Sequence, residues 1–426
     1  MAHHHHDPLD LSDAWPAPAR TRRLLLGAIG VCALATLIGL AILWPRGSAP
    51  EVTNNALGFA RLLNATVEQA NIEPCSFSSA DQVYQCNEVE ARVTEGKEKG
   101  TLVPLELPLG AGIVTIHKGD RVVLSYEPDA PAGAQYQFAE FQRHRPMLLL
   151  AFIFAAVVIA LGRVRGLMAL AGLALSLVVL VVFLLPSLLR GHDPLAVALV
   201  GAAVVAFLAL YLAHGFNERT TVALLGSFAA LGLTGLLALL FVGAAKFTGL
   251  AQEEAGFLQL TAGQVDLKGL LLAGIIIGSL GVLDDVTVTQ VSAVWELHRT
   301  DEQLPARDLY RAGIRIGRDH IASTVNTLVL AYAGAALPLL LLFSEASRSL
   351  ADVVTSETVA VEVVRTLVGS IGLVASVPIT TALAAIVIGP HAPAPPVPDR
   401  APTPDPEPVD EHSPTWDDFA PADPDF

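Results

Sequence analysis

Residues 147–185 have the sequence MLLLAFIFAAVVIALGRVRGLMALAGLALSLVVLVVFLL, and this stretch decides the fold class of the chain. It contains two apolar runs, 147–161 and 167–185, separated by a short segment that carries Arg163 and Arg165. A helix needs about 20 mostly apolar residues to cross a bilayer. The second run reaches that length, and the first reaches it when the polar residues before it are included. The stretch therefore predicts two membrane-spanning helices.

The composition of the whole chain supports the same class. Hydrophobic residues make up 53% of the 426 residues and charged residues 16%, whereas a soluble domain carries about 25% charged residues. The formal net charge of −15 argues against a nucleic-acid partner, because nucleic-acid binding needs a basic surface. We therefore expect a membrane protein, surrounded by lipid, with an all-α bundle of about eight helices. The expected spans are 24–43, 147–161, 167–185, 195–213, 222–245, one that begins near 267, 321–343 and 361–388.

The arginines orient these spans. Cytoplasmic loops of membrane proteins carry an excess of Lys and Arg. With the N-terminus inside, most arginines fall in inner segments, which predicts a multi-pass protein of the bacterial plasma membrane with both termini in the cytoplasm. The first apolar run is longer than the core of a signal peptide, so we expect an uncleaved anchor. The inner arginines are Arg20, Arg22, Arg23, Arg163, Arg165, Arg219, Arg299, Arg307, Arg311, Arg315 and Arg318.

Three segments outside the spans differ in kind. Residues 1–23 and 390–426 are expected to be disordered cytoplasmic tails; the second is acidic and rich in proline, and cannot bury enough apolar surface to offset its chain entropy. Residues 44–146 lie between the first two spans and contain several alternating, strand-like stretches separated by glycine-containing turns. That pattern predicts a small, mostly β extracytoplasmic domain. The remaining spans form a seven-helix domain over 147–389.

Cysteine usage agrees with this topology. Cys75 and Cys86 lie in the predicted outer domain, where disulfides persist, and we expect them to be bonded to each other. The sequence contains no Cys/His cluster with zinc-ligand spacing, no phosphate-binding loop, no Gly-x-Ser-x-Gly elbow and no His-Glu-x-x-His motif. We therefore expect no bound metal, no cofactor and no enzymatic activity.

The acidic pair Asp284 and Asp285 in the sixth span is the sharpest functional candidate, because charged residues in a span are costly and usually functional. The pair lies at mid-membrane if the helix continues past it, and at the cytoplasmic interface if the helix ends there. Neighbouring carboxylates repel each other, and burial favours their protonated forms, as in a proton or cation carrier. The structural alternative is a helix cap or a pair with Arg315 or Arg318. The other coupling candidates on this helix are Thr287, Thr289, Gln290 and Ser292.

The last two spans add further polar candidates. Pro378 in the eighth span frees backbone carbonyls and allows a bend around a cavity; a kink without a ligand is the alternative. In the seventh span, ordinary interhelical hydrogen bonding is the alternative to a cavity. The candidates are Asp319, His320, Ser323, Asn326 and Thr327 in the seventh span, and Glu362, Arg365, Thr380 and Thr381 in the eighth.

Three motifs resemble a known family. They are GVLDDVTVTQ at 281–290 followed by SAVWEL at 292–297, GRDHIASTVNTLVLAYAGAALPLLLLF at 317–343, and RTLVGSIGLVASVPITTALAA at 365–385. They are similar to the signature of the YibE/F family of bacterial multi-span membrane proteins. The resemblance runs from the first span to the end of the eighth, and implies the fold and membrane location rather than an activity. A weaker, fold-level analogy links the order of helix, outer domain and bundle to the SecDF motor and to resistance-nodulation-division pumps.

Two classes of function fit these features. A secondary transporter or proton-coupled permease would bind its coupling ion at Asp284 and Asp285 and carry an unknown small solute or ion. A non-transporting envelope scaffold or assembly factor would instead bind an envelope protein through its outer domain, and a SecDF-like proton-driven export factor is a further alternative. A polar cavity between the sixth, seventh and eighth helices would favour transport, whereas a tightly packed bundle with both aspartates in salt bridges would favour the scaffold. The substrate and oligomeric state are open.

Overall fold

The structure is a computed structural model that describes residues 19–47, 61–79, 82–110, 114–131, 133–251, 255–256, 258–259, 265–345 and 349–388. The predicted tail 390–426 and most of the predicted tail 1–23 lie outside the described residues. The first helix, α1, spans Ala19–Leu43. It begins before the apolar run, because the arginines that precede the run are good helix formers.

A small antiparallel sheet follows α1, as the alternating pattern predicts. Its strands pair in the order β3-β2-β1-β4-β5. Their inward side chains alternate along each strand and form a separate core that includes Val67, Val89, Val103, Val122 and Leu124. The strands are β1 Arg61–Pro74, β2 Gln85–Val93, β3 Leu102–Pro108, β4 Arg121–Tyr126 and β5 Tyr136–Phe141.

The predicted disulfide is confirmed. Cys75 and Cys86 are bonded at the loop end of the β1–β2 hairpin, with their Cα atoms 4.9 Å apart. The loop beside the disulfide is held by β3, since Ser76 donates to the Glu106 carboxylate from its backbone N–H (2.5 Å) and from its hydroxyl (2.7 Å). The loop of the β1–β2 hairpin is therefore held by the disulfide within the hairpin and by hydrogen bonds to β3.

The contact between Ser76 and Glu106 is expected to make this loop sensitive to acid. The hydrogen bonds from the Ser76 hydroxyl and then the Ser76 backbone lower the pKa of Glu106 below its ordinary value of 4.5. A lowered carboxyl pKa contributes stability above pH 4.5, and the contribution is lost as the pH falls through the folded-state value. Amide exchange around Ser76, corrected for the intrinsic rate, should therefore accelerate below pH 4.5. In Glu106→Gln this acid dependence should be absent, and equal acceleration in both proteins would contradict the assignment.

The rest of the described chain is helical. Six helical stretches are long and apolar enough to cross a membrane, namely Arg20–Leu43, His144–Leu189, Pro194–His214, Glu218–Ala244, Leu267–Thr300 and Glu357–Ile388. The fold is thus a membrane-type helical bundle with a small sheet inserted after its first helix. The helices after the sheet are α2 His144–Val179, which runs through the π-helical segment Leu180–Leu184 into α3 Leu185–Leu189, then α4 Pro194–His214, α5 Glu218–Ala244, α6 Leu267–Thr300, α7 Ala306–Ala335, α8 Leu337–Glu345, α9 Leu350–Thr355 and α10 Glu357–Ile388.

The two runs predicted as separate spans form two helical arms, which a sharp bend at Arg163 joins. The backbone leaves the helical region there, with φ 48° and ψ −128°. A Cβ added to Gly166 would overlap the carbonyl oxygen of Val158, although eight residues of straight helix rise about 12 Å. The chain therefore turns back on itself at the basic segment, and glycine is needed where the two arms approach each other.

The run predicted as the seventh span, 321–343, is divided between two helices. α7 ends at Ala335 and α8 begins at Leu337, next to Pro338, whose ring cannot occupy a helix interior without loss of a hydrogen bond. Only Leu309, Gly313 and Gly317 of α7 are buried. The first half of α7 is basic, and the helix ends at Ala335. α7 is therefore not among the six helical stretches that are long and apolar enough to cross a membrane.

The bundle core lies between α4, α5, α6 and α10. Small residues on α4, namely Ala198, Ala202 and Ala206, are fully buried and allow close helix approach. α5 and α10 approach closely at two glycine–threonine contacts. Gly226 on α5 faces Thr380 on α10, and Gly372 on α10 faces Thr234 on α5. A Cβ added to either glycine would overlap the hydroxyl of the facing threonine. These contacts fix how α6, which carries the acidic pair, packs in the bundle.

Candidate functional site

The acidic pair lies near the middle of one unbroken helix. α6 runs from Leu267 to Thr300 without interruption, so the helix continues past the acids. The β-branched residues around the pair disfavour helix only slightly. Packing outweighs this, because Val286 and Val291 are buried against neighbouring helices. Asp284 is half-buried, and Asp285 is exposed.

A cavity of about 440 Å³ opens beside the pair, between α2, α4 and α6. Asp284 and Asp285 line it together with His214 at the end of α4 and Ser176 on α2, and the other lining residues are aliphatic or glycine. The cavity lies on the side of α6 away from α7 and α10. It therefore involves the third, fourth and sixth predicted spans, whereas the polar residues of the sequence indicate a cavity between the sixth, seventh and eighth.

The Asp284 carboxyl has one neighbour and one unsatisfied oxygen. Ser227 on α5 is placed to hydrogen-bond to this carboxyl, and the Ser227 hydroxyl is also 2.8 Å from the hydroxyl of Thr287. Within the described part of the chain, Asp284 Oδ1 is buried without a hydrogen-bond partner. No ion pair of the described residues involves Asp284 or Asp285. A buried carboxylate in this state is unfavourable unless it takes up a proton or a cation.

Asp285 and His214 line the same cavity. His214 is the last residue of α4, and Gly215 follows it with φ 77°, a conformation that glycine adopts without strain. The helix end thus places an imidazole at the rim of the cavity.

Gln290 connects three helices on the opposite side of α6. Its amide Nε2 donates to the carbonyl oxygen of Gly313 on α7 (2.8 Å) and to the hydroxyl of Thr381 on α10 (2.7 Å). Gly317 is close to both the Gln290 side chain and Val377, so that a Cβ added to Gly317 would overlap both of them. Gln290 and Thr381 are buried, so this side of α6, where the polar residues of the sequence indicate a cavity, is closely packed.

The remaining candidates are divided between buried and outward positions. Thr287 and Thr380 are buried, Ser292 and His320 are half-buried, and Thr289 is exposed. Neither Arg315 nor Arg318 on α7 forms an ion pair with the acidic pair among the described residues. The exposed candidates of α7 are Asp319, Ser323, Asn326 and Thr327.

Glu362 and Arg365 form the ion pair that their spacing predicts, with Arg365 Nη1 3.0 Å from Glu362 Oε1. Arg365 lines a second cavity, of about 310 Å³, between the π-helical segment, α6 and α10. Leu180, Leu184 and Ile277 line both cavities. The two cavities therefore lie on either side of these three apolar side chains.

Ser227, Ser176 and His214 are site residues that sequence reasoning did not identify. A single serine in an apolar run and a histidine at a helix end carry no motif, and only the packing of α2, α4 and α5 against α6 brings them to the acids. One candidate metal group in the described residues, Cys75, Cys86 and Glu106, offers no free thiolate because its cysteines are bonded to each other.

Comparison with known proteins gives one match. A family model described as YibE/F-like protein matches residues 150–390, which contain every described helix from α3 to α10 and most of α2. The resemblance inferred from the three motifs is thereby confirmed. No curated protein and no solved structure matches the chain.

Proposed function

The chain belongs to the YibE/F-like family, and we propose that this membrane protein is a secondary transporter coupled to protons or another small cation, with Asp284 and Asp285 as the coupling site. The observation that carries the proposal is the buried, unpartnered Asp284 oxygen beside an apolar cavity. An ionisable group in this setting marks an ion pathway in membrane proteins. The absence of an ion pair at either aspartate among the described residues favours this role over one in helix packing.

The two cavities support a transport path along α6. The cavity at the acidic pair and the cavity at Arg365 are separated by Leu180, Leu184 and Ile277. Leu180 and Leu184 are the ends of the π-helical segment, and π-helical turns within α-helices are frequent at functional sites. We infer that these three side chains form an apolar barrier that opens when the segment returns to regular α-helix.

The cavity walls indicate the kind of solute. Both cavities are lined mainly by aliphatic residues, with a few charged groups at defined places. Such walls suit a small amphipathic solute, or the coupling ion alone, better than a strongly hydrated one. Arg365, which is paired with Glu362, offers a positive charge to a solute that enters the second cavity.

The orientation proposed from the sequence has independent support. Disulfides persist outside the cytoplasm, and the Cys75–Cys86 bond lies in the sheet domain. The basic bend at Arg163 and the arginines of α7 would then lie at the inner surface of a bacterial plasma membrane. In this orientation the acidic pair is nearer the cytoplasmic side than Arg365.

The test is proton flux in proteoliposomes that contain the full-length protein. An imposed pH gradient should collapse faster with the wild type than with Asp284→Asn/Asp285→Asn, because the double variant has no group to carry the proton. Glu296→Gln is the matched control, since Glu296 lies on the same helix but is exposed and pairs with Arg299. This control should collapse the gradient at the wild-type rate.

Two results would contradict the proposal for protons. Equal rates in the wild type and the double variant would exclude the aspartates as the path. If the wild type leaves the gradient intact, the same vesicles should be tested with a sodium gradient; an intact sodium gradient as well would favour the scaffold or assembly function.

A further inference from the structure

α7 has two different faces, and within the described residues only one of them packs against the bundle. Gly313 and Gly317 are buried against α6 and α10. Ile321, Val325 and Leu328 continue this inner face along the main core. The opposite face holds Arg315, Asp319, Ser323 and Asn326, spaced by four, four and three residues, which places them within one sector of a helix. All four are exposed, and we call them the outward stripe.

The depth of the stripe follows from the contacts of α7 with α6. Near its start, α7 meets Gln290, which donates to the carbonyl oxygen of Gly313. Near its end, the Tyr332 hydroxyl lies 3.5 Å from the Cβ position of Gly278. Ser323 and Asn326 lie between these two levels, beside the middle of a helix long and apolar enough to cross a membrane. Polar side chains thus face outward at the depth of lipid chains.

Lipid chains cannot satisfy these groups. Within the described part of the chain, no side-chain hydrogen bond is formed by Ser323 or Asn326, and no ion pair by Arg315 or Asp319. Polar side chains inside a membrane almost always face another helix or water, and serine and asparagine hydrogen-bond across helix pairs. Apolar residues flank the stripe, including Ile316, Val329 and Leu330. A polar line with apolar borders is the usual form of a helix–helix interface in lipid.

The stripe is complementary to itself. Two copies with the same membrane orientation can form a closed pair only about an axis along the membrane normal, which places each interface residue opposite itself or its near neighbours. Asparagine and serine each carry a donor and an acceptor, so both can pair with an identical residue. Arg315 and Asp319 carry opposite charges one helical turn apart, so each can meet the other residue on the second copy.

We propose that the chain forms a parallel two-fold dimer in which the outward stripe of α7, Arg315, Asp319, Ser323 and Asn326, packs against the same stripe of a second copy. The dimer does not depend on transport. The cavity at the acidic pair lies on the other side of α6, so each copy keeps its own path.

Disulfide trapping in native membranes tests the dimer. Asn326→Cys in a Cys32→Ser background leaves one free thiol, because Cys75 and Cys86 are bonded to each other. Mild oxidation should convert most of the chain to a species of twice its mass on a non-reducing gel. The matched control is Ile371→Cys on α10, which is also exposed and lies at similar depth, since the neighbouring Gly369 approaches Ser279 on α6. The control should stay monomeric.

Charge reversal gives a second, independent measurement on the purified full-length protein. Arg315→Glu should shift light-scattering mass in detergent toward the monomer, because it places acidic groups against Asp319 of the second copy. Arg315→Glu/Asp319→Arg should restore the dimer, because it exchanges the charges without removing them. The proposal is overturned if Asn326→Cys fails to form the dimer, if it cross-links no better than Ile371→Cys, if it cross-links to a different protein, or if the double reversal is as monomeric as the single one.

Discussion

Asp284→Asn is expected to slow proton-coupled flux by about 100-fold or more, because a positioned proton-transfer group contributes about 10²- to 10⁴-fold to a rate. Asparagine keeps the shape of the side chain but cannot take up and release a proton. Asp285→Asn should lower the flux less, since Asp285 is exposed to the cavity whereas Asp284 has a buried oxygen. Initial rates of gradient collapse at equal protein density measure both effects.

The same Asp284→Asn variant should be at least as stable as the wild type. Asp284 has one buried oxygen that no described residue hydrogen-bonds, so replacement of its carboxyl by a neutral group removes a desolvation penalty, and functional sites commonly reduce stability. We expect the unfolding midpoint in detergent near pH 8 to rise, whereas that of Glu296→Gln should stay unchanged. A variant that lost both flux and stability would indicate misfolding and would count against a specific role in coupling.

Gly372→Ala is expected to destabilise the bundle by about 1–3 kcal/mol, the usual cost of adding a methyl group to a closely packed site. The new Cβ would overlap the Thr234 hydroxyl on α5, and a helix backbone cannot move away without losing other contacts. Thermal unfolding of the solubilised protein measures the loss. Gly232→Ala on α5 is the control, since nothing lies within 4 Å of its added Cβ, and alanine favours helix over glycine.

A compensating variant tests the cause of this loss. Thr234 donates only to the carbonyl oxygen of Ala230 in its own helix (2.9 Å), so Thr234→Ala leaves no partner on α10 unsatisfied. Gly372→Ala/Thr234→Ala should therefore recover most of the stability lost in Gly372→Ala. If the stability losses of Gly372→Ala and Thr234→Ala simply add in the double variant, the close contact between Gly372 and Thr234 does not explain the destabilisation by Gly372→Ala.

The division of the chain into membrane helices and a small sheet was predictable because it depends on local patterns. Runs of about 20 apolar residues and strict alternation in the sheet domain reflect which side chains meet lipid, core or water. Helix breaks were less predictable. The bend at Arg163 depends on two arms meeting at Gly166, and the end of α7 at Ala335 depends on Pro338 and on packing. These are interactions between segments rather than properties of one segment.

The acidic pair was identified from the sequence because ionisable residues inside an apolar run are rare and costly. Its surroundings were not. The sequence could not say which helices flank α6, so the polar residues of α7 and α10 were natural cavity candidates. In the structure, Gln290 and Thr381 instead hold those helices together, and the cavity lies toward α2 and α4.

The class of molecule, the family resemblance, the disulfide and the acidic pair could therefore be predicted from the sequence, since each depends on residue type and spacing along one segment. The open side of α6, the residues that complete the site and the face of α7 that no described residue covers follow only from how the helices pack together. Helix periodicity limits a polar residue to one face of its helix. What lies opposite that face depends on how residues far apart in the chain pack together.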